Sequence, residues 1–219
     1  EKNKNIILLE GDLADSTQSE HFQKTFPERY FQIGIAEQNM VGIAAGLALE
    51  GKLPIVNSFA AFISMRACEQ VRTDVAYPKL NVKFVVSHAG LSAGSAGPTH
   101  HTVEDIAIMR AIPNMTVLVP GDIKETEEVI DAALEYNGPV YIRNSAIDVE
   151  NVYHQDNHFI IGKATQLREG QDITIITTGT LMNEGAKAVD ILKDNHGINT
   201  RLLQMASIKP LDNDAVRKA

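Results

Sequence analysis

Three clusters in this sequence have the residue types and spacing to do chemistry. The first is Gly34-Ile35-Ala36-Glu37-Gln38-Asn39, placed between a short β-rich run and a helical pattern. In an open α/β sheet that junction lies on the ligand-facing edge. Glu37 there reads either as a first-turn acid matched to the helix dipole or as an acid with a special role. The second cluster is Ser58-Phe59-Ala60-Ala61-Phe62, whose aromatics at a strand end read by themselves as core. The third is His88-Ala89-Gly90, then Gly94-Ser95-Ala96-Gly97-Pro98-Thr99-His100-His101. Its glycines mark a loop. Its histidines suggest a metal site, but no cysteine or nearby carboxylate completes the ligand set. Two further pieces are Gly11-Asp12-Leu13-Ala14-Asp15-Ser16, in isolation a turn with a helix cap, and Arg143 at a strand end, either a surface ion pair or an anion ligand.

The elements that must position these residues alternate between β and α. Apolar runs at Ile6–Glu10, Tyr30–Ile33, Leu53–Ser58, Val82–Ser87, Met115–Val119 and Val140–Arg143 read as strands. Helical patterns cover Glu37–Leu49, Phe62–Tyr77, Thr102–Ala111 and Asp122–Tyr136, with Thr102 and Asp122 as caps and Gly51 and Gly138-Pro139 as stops. The loop over His88–His100 joins two of them. Such a series predicts an α/β fold, a mostly parallel sheet with helices on both faces. A polar linker is expected over Asn144–Asn157. Beyond it, Phe159–Arg168 suggests a hairpin, Ile173–Thr178 and Asn199–Met205 strands, and Met182–Asn195 a helix. One crossover cannot cover a sheet, so this is expected to be the start of a second α/β domain, cut short.

Composition narrows the class. The 219 residues carry 20 basic and 28 acidic side chains, a net charge of -8. That excludes the clustered basic footprint of a nucleic-acid binder, though not anionic metabolites, for which one or two placed Arg or His suffice. Cys68, the single cysteine, precludes an intrachain disulfide and reads as a small core or half-buried residue. No apolar run approaches the roughly 20 residues of a membrane span. The abrupt start just before a strand suggests a truncation, and a cytoplasmic location is the default.

Taken together, the clusters resemble the pyrimidine-binding domain of thiamine-diphosphate enzymes, and the transketolases in particular. Order and spacing match from Gly11 to Arg143. The resemblance implies a pyrimidine-binding domain over residues 1–150, then a linker and the truncated start of the C-terminal domain over 151–219. It implies that Glu37 contacts N1′ of the aminopyrimidine, where a carboxyl favours the imino tautomer that deprotonates the thiazolium carbon. Phe62 would stack on the pyrimidine, with Phe59 behind it and Asp12 beside the cofactor. Ser16, His88 and Arg143 would hold the substrate phosphate, and His100 would touch substrate oxygens near the reacting carbons, where imidazole can donate to an alkoxide or shuttle its proton. Two positions depart from the family: His101 stands where glutamine is usual, and Ala96 where an Asp precedes Gly-Pro-Thr-His.

The family's diphosphate half carries Gly-Asp-Gly with a later Asn that hold Mg²⁺ and the diphosphate. This sequence has only Gly11-Asp12-Leu13 and Gly121-Asp122-Ile123. The implied protein is therefore a subunit of a split transketolase, active with an N-terminal partner that holds Mg²⁺, two such pairs forming a heterotetramer. It would move a two-carbon ketol unit between sugar phosphates. Rival readings are a deoxyxylulose phosphate synthase, a 2-oxo acid dehydrogenase β subunit, a transketolase for a branched or sulfonated sugar, and a non-catalytic binding module.

Overall fold

The computed structural model of the protein describes residues 3–153 and 159–219. Its elements run β1 (Ile6–Glu10), α1 (Ala14–Thr17), α2 (Glu20–Thr25), β2 (Tyr30–Gln32), α3 (Glu37–Leu49), β3 (Leu53–Phe59), α4 (Cys68–Gln70), β4 (Lys83–Ser87), α5 (Asp105–Ala111), β5 (Thr116–Leu118), α6 (Ile123–Glu135), β6 (Val140–Arg143), β7 (Thr165–Arg168), β8 (Ile173–Thr177), α7 (Leu181–His196), β9 (Thr200–Gln204), β10 (Ser207–Lys209) and α8 (Asn213–Arg217). Two π-helical turns, Phe62–Arg66 and Val71–Ala76, flank α4. The fold is α/β, a mostly parallel sheet with helices followed by a second, smaller sheet. Among the described residues no helix is long and apolar enough to cross a membrane. The chain divides into two compact units, Glu1–Thr116 with Tyr136–Ala146, and Val117–Glu135 with Ile147–Ala219.

In the first unit the strands lie in the order β2-β1-β3-β4-β6, and each neighbouring pair is parallel. Leu9, Val56, Phe84, Val86 and Ile142 are buried, as the near-continuous apolar runs of parallel strands require. Helix α3 buries Met40, Val41, Ala44 and Ala45, one face of a 3.6-residue period. After β1 the chain passes to β2 on one side and then to β3 on the other. The crevice between β1 and β3 is therefore the topological switch point where such sheets bind ligands.

Helix α5 starts three residues later than its sequence pattern suggests. Thr102 is paired through its backbone with Gly90 and so cannot open a helix. Asp105, in the first turn of α5, is fully buried and bonds to β6 rather than to solvent.

In the second unit β8 and β9 are parallel, joined by α7, and β7 lies antiparallel to β9. β5 pairs antiparallel with β10. Met182, Ala186 and Val189 of α7 pack with Val152, Tyr153 and Leu202. The expected hairpin over Phe159–Arg168 does not form. Gly162, with φ +86°, turns the chain, the Phe159 N–H donates to Glu128, and only Thr165–Arg168 is a strand. The expected linker is irregular through residues 144–153, and its residues 154–157 lie outside the described residues. Its last described residues are not solvated: Val152 and Tyr153 are core, and both donate their N–H to Asp122 Oδ2. Asp122 also caps α6, accepting the Glu125 N–H at 2.9 Å.

One buried carboxylate organises the loop after β1. Glu10 is fully buried. Its Oε1 accepts from the Gly11 and Leu13 N–H groups, and its Oε2 from Thr17, Ser19 and Asn57 side chains. These donors replace water around a charge that would otherwise be costly to bury. Glu10→Gln sets an amide N–H against those donors. We expect it to destabilise the chain by about 1–3 kcal/mol, read from urea unfolding.

Candidate active site

Four strands of the first unit end in residues that the sequence singled out. β1 runs into Gly11 and Asp12, β3 ends at Phe59, β4 is followed by His88, and β6 ends at Arg143. Because the strands are parallel, these residues share the carboxyl edge of the sheet. Glu37 reaches the same edge from the first turn of α3.

The loops along this edge are tied by backbone donors. Asp12 takes φ +66°, and its N–H donates to Gln32 Oε1 at 2.8 Å. The same oxygen accepts the Gly34 N–H at 2.9 Å. Gln32 thus links the loop of Asp12 to the loop that leads into Glu37.

Glu37 is 1% exposed. Its Oε2 accepts from Arg66 Nη1 at 2.8 Å, whereas its Oε1 is buried without a hydrogen-bond partner among the described residues. Leaving a buried charged oxygen unbonded costs about 1–3 kcal/mol or more, so the group marks a place where a donor is expected. The Arg66 side chain is half exposed, and its guanidinium lies 4.4 Å from the centre of the Phe62 ring.

The aromatics form one stack. Phe59 is buried and lies nearly parallel to Phe62, centroids 5.8 Å apart and planes at 17°. The His88 imidazole stacks on Phe59 at 3.9 Å. His100 meets Phe62 edge-on at 5.2 Å. A concavity of about 350 Å³ is lined by Gly11, Asp12, Leu13, Ile35, Glu37, Phe62, Arg66, Thr99 and His100. The lining is mostly apolar, with a carboxylate, a guanidinium and an imidazole converging on it, as small-molecule sites commonly are.

The structure therefore brings together Asp12, Glu37, Phe59, Phe62, His88 and His100. Ser16, on α1, is exposed and does not line the cavity, and neither does Arg143, which is held by Asp105. His101 turns its Nε2 toward the Gly94 carbonyl at 3.1 Å, and Ala96 lies exposed in the short turn Gly94–Ala96. Sequence reading missed Arg66, Glu10 and Gln32. Arg66 stands four residues after Phe62, a spacing that puts two residues on one helical face. Glu10 carries the signal of an acid closing an apolar strand. Gln32 carries no local signal.

The residues fit the aminopyrimidine end of thiamine diphosphate. The unpartnered Glu37 oxygen is an acceptor waiting for a ring N–H. Phe62 offers an aromatic surface in the same cavity.

A family model for the transketolase pyrimidine-binding domain matches residues 1–150, and one for the transketolase C-terminal domain matches residues 162–219. A protein of Methanocaldococcus jannaschii named as a transketolase C-terminal section is 49% identical over 100% of this chain and 69% of its own length. A 6-deoxy-6-sulfo-D-fructose transketolase subunit of Clostridium sp. (strain MSTE9) is 40% identical over 100% of this chain and 68% of its own. A solved structure described as a split-gene transketolase, inactive β4 tetramer, superimposes with a TM-score of 0.90 at 42% identity, covering 99% of this chain and 70% of that one.

His88 provides a test of the cluster's geometry. Burial pushes its pKa below the ordinary histidine value, and repulsion from His100 adds to this. Removing His100 abolishes the second cause and leaves the first. In His100→Gln the His88 titration followed by NMR should move up toward, without reaching, the free-histidine range. No movement would mean that the two rings do not share this pocket.

Proposed function

Because the chain belongs to the transketolase family, we propose that it is one half of a split enzyme whose thiamine diphosphate lies between this chain and a diphosphate-binding partner. It is a transketolase subunit and a transferase, moving a two-carbon ketol unit from a ketose to an aldose. The reading divides the chain into a pyrimidine-binding domain over 1–150 and the start of the C-terminal domain over 151–219. The observation that carries it is the Glu37 carboxylate, fully buried on the switch-point edge with Oε1 unbonded.

The chemistry that bound thiamine diphosphate supplies is a nucleophilic thiazolium carbon able to take up a two-carbon fragment. This chain's residues prepare it. Arg66 holds Glu37 Oε2, which would leave Oε1 to hydrogen-bond with N1′. Phe62, backed by Phe59, would hold the pyrimidine flat, with Asp12 at its side. His100, at the mouth of the cavity, would exchange protons with substrate oxygens as the fragment is released and accepted. His88, biased toward neutrality by burial, would serve as a hydrogen-bond donor to the substrate phosphate rather than as a fixed cation. Arg143 supplies the charge for that phosphate, and Ser16 would join it from α1.

Mg²⁺ and the diphosphate would fall to the partner, as these 219 residues carry no Gly-Asp-Gly. The split-gene relative, described as inactive in its β4 tetramer, supports a need for a second kind of chain. Two pairs would then form a heterotetramer. The sulfofructose relative supports a substrate with an anionic end group. Ala96, in place of the family's Asp, offers no acceptor to the hydroxyl beside the acceptor aldehyde, so discrimination at that carbon is expected to be weak.

Titration calorimetry with thiamine diphosphate and Mg²⁺ tests the division of labour. The chain alone should bind at least about a hundredfold more weakly than the complex with its partner, and only the complex should transfer a two-carbon unit. Tight Mg²⁺-dependent binding by the chain alone would refute the shared site.

A further inference from the structure

We propose that Asp105 is a positioning residue: it holds the Arg143 guanidinium by Nε so that both Nη groups are presented to the anionic end group of the substrate. This rests on the reading of Arg143 as the anion ligand. Asp105 is fully buried in the first turn of α5. Its Oδ2 accepts from Arg143 Nε at 2.8 Å and from the Tyr141 hydroxyl at 2.9 Å, while its Oδ1 has no partner among the described residues. Tyr141 and Arg143 stand two apart on β6 and therefore on one face. Tyr141 is fully buried, and burial together with Asp105 raises its pKa well above the ordinary value, so it stays a neutral donor.

The mode of contact decides what Arg143 can do. A carboxylate that bridged two guanidinium nitrogens would consume the fork that recognises phosphate. Here the contact is made at Nε alone, and neither Nη group has a hydrogen bond to the described residues. The guanidinium edge passes beneath Gly90, where an added Cβ would meet Nη2 at 3.3 Å and φ is +68°. Gly90 is pinned by the Thr102 N–H on its carbonyl, and Ala89 by its N–H on the Asn144 carbonyl. That loop begins at His88. One buried carboxylate thus sets the guanidinium against the loop carrying the other expected phosphate ligand.

The test uses the enzyme reconstituted with its partner subunit and three variants, Asp105→Asn, Asp105→Glu and Arg143→Ala. The readouts are kcat and KM for D-fructose 6-phosphate and for D-fructose as donors, and the inhibition constant of inorganic phosphate. For both Asp105 variants we expect KM for the phosphorylated donor and the phosphate inhibition constant to rise roughly tenfold, with kcat and the KM for D-fructose within about twofold of wild type. A merely structural role would depress both donors alike. Asp105→Glu keeps the charge but displaces it, so it decides the matter if Asp105→Asn does not fold. If Arg143→Ala loses the preference for phosphate while a folded Asp105 variant keeps it, the positioning role of Asp105 is overturned. If Arg143→Ala keeps the preference, the reading of Arg143 falls, and the proposal with it.

Discussion

Glu37 is a buried carboxylate with one oxygen bonded and one left over, and much of the first unit is arranged around that imbalance. Arg66 bonds Oε2 of the buried Glu37 at 2.8 Å. The same guanidinium lies over Phe62, so charge and aromatic surface are fixed to each other. Oε1 has no donor among the described residues. A buried polar atom without a partner calls for an explanation, and at the switch-point edge a ligand donor is one. On the reading proposed here that ligand atom would be the pyrimidine nitrogen of thiamine diphosphate.

The parallel sheet makes the arrangement possible. All its strands end on one edge, so residues distant in sequence meet without a long loop being ordered for each. Glu10 then fixes the first of those loops with five donors, and Gln32 ties it to the turn before α3. Asp105 does for Arg143 what Glu10 does for Asp12. In each case a buried carboxylate fixes a group at the carboxyl edge of the sheet, the loop after β1 by Glu10 and Arg143 by Asp105.

Much of this was legible in the sequence. Alternating apolar runs and helical patterns placed β1, α3, β3 and β6 within a residue at either end, because parallel strands are buried on both faces and show little ambiguity. The mutual stacking of His88, Phe59 and Phe62, and the edge contact of His100 on Phe62, carried no signal in the sequence. What was not legible depended on contacts distant in sequence. The start of α5 was misplaced because Thr102 is committed to Gly90. The role of Asp105 carried no local signal because its partners lie 36 and 38 residues away. Val152 and Tyr153 read as linker because the site that binds them, Asp122, is 30 residues earlier. The hairpin over Phe159–Arg168 failed for the same reason: the strand's partner is β9, not its neighbour.

The central claim is that the free oxygen of Glu37 acts on the cofactor ring. The most direct measurement is the rate at which the thiazolium C2 proton exchanges with deuterium in thiamine diphosphate bound to the complex of this chain with its partner, compared between wild type and Glu37→Gln. The side chain keeps its size, so the pocket and the cofactor remain in place, and only the carboxylate is lost. The account predicts that exchange slows by at least about a hundredfold while the cofactor stays bound. Exchange within about threefold of wild type, with the cofactor demonstrably bound, would contradict it.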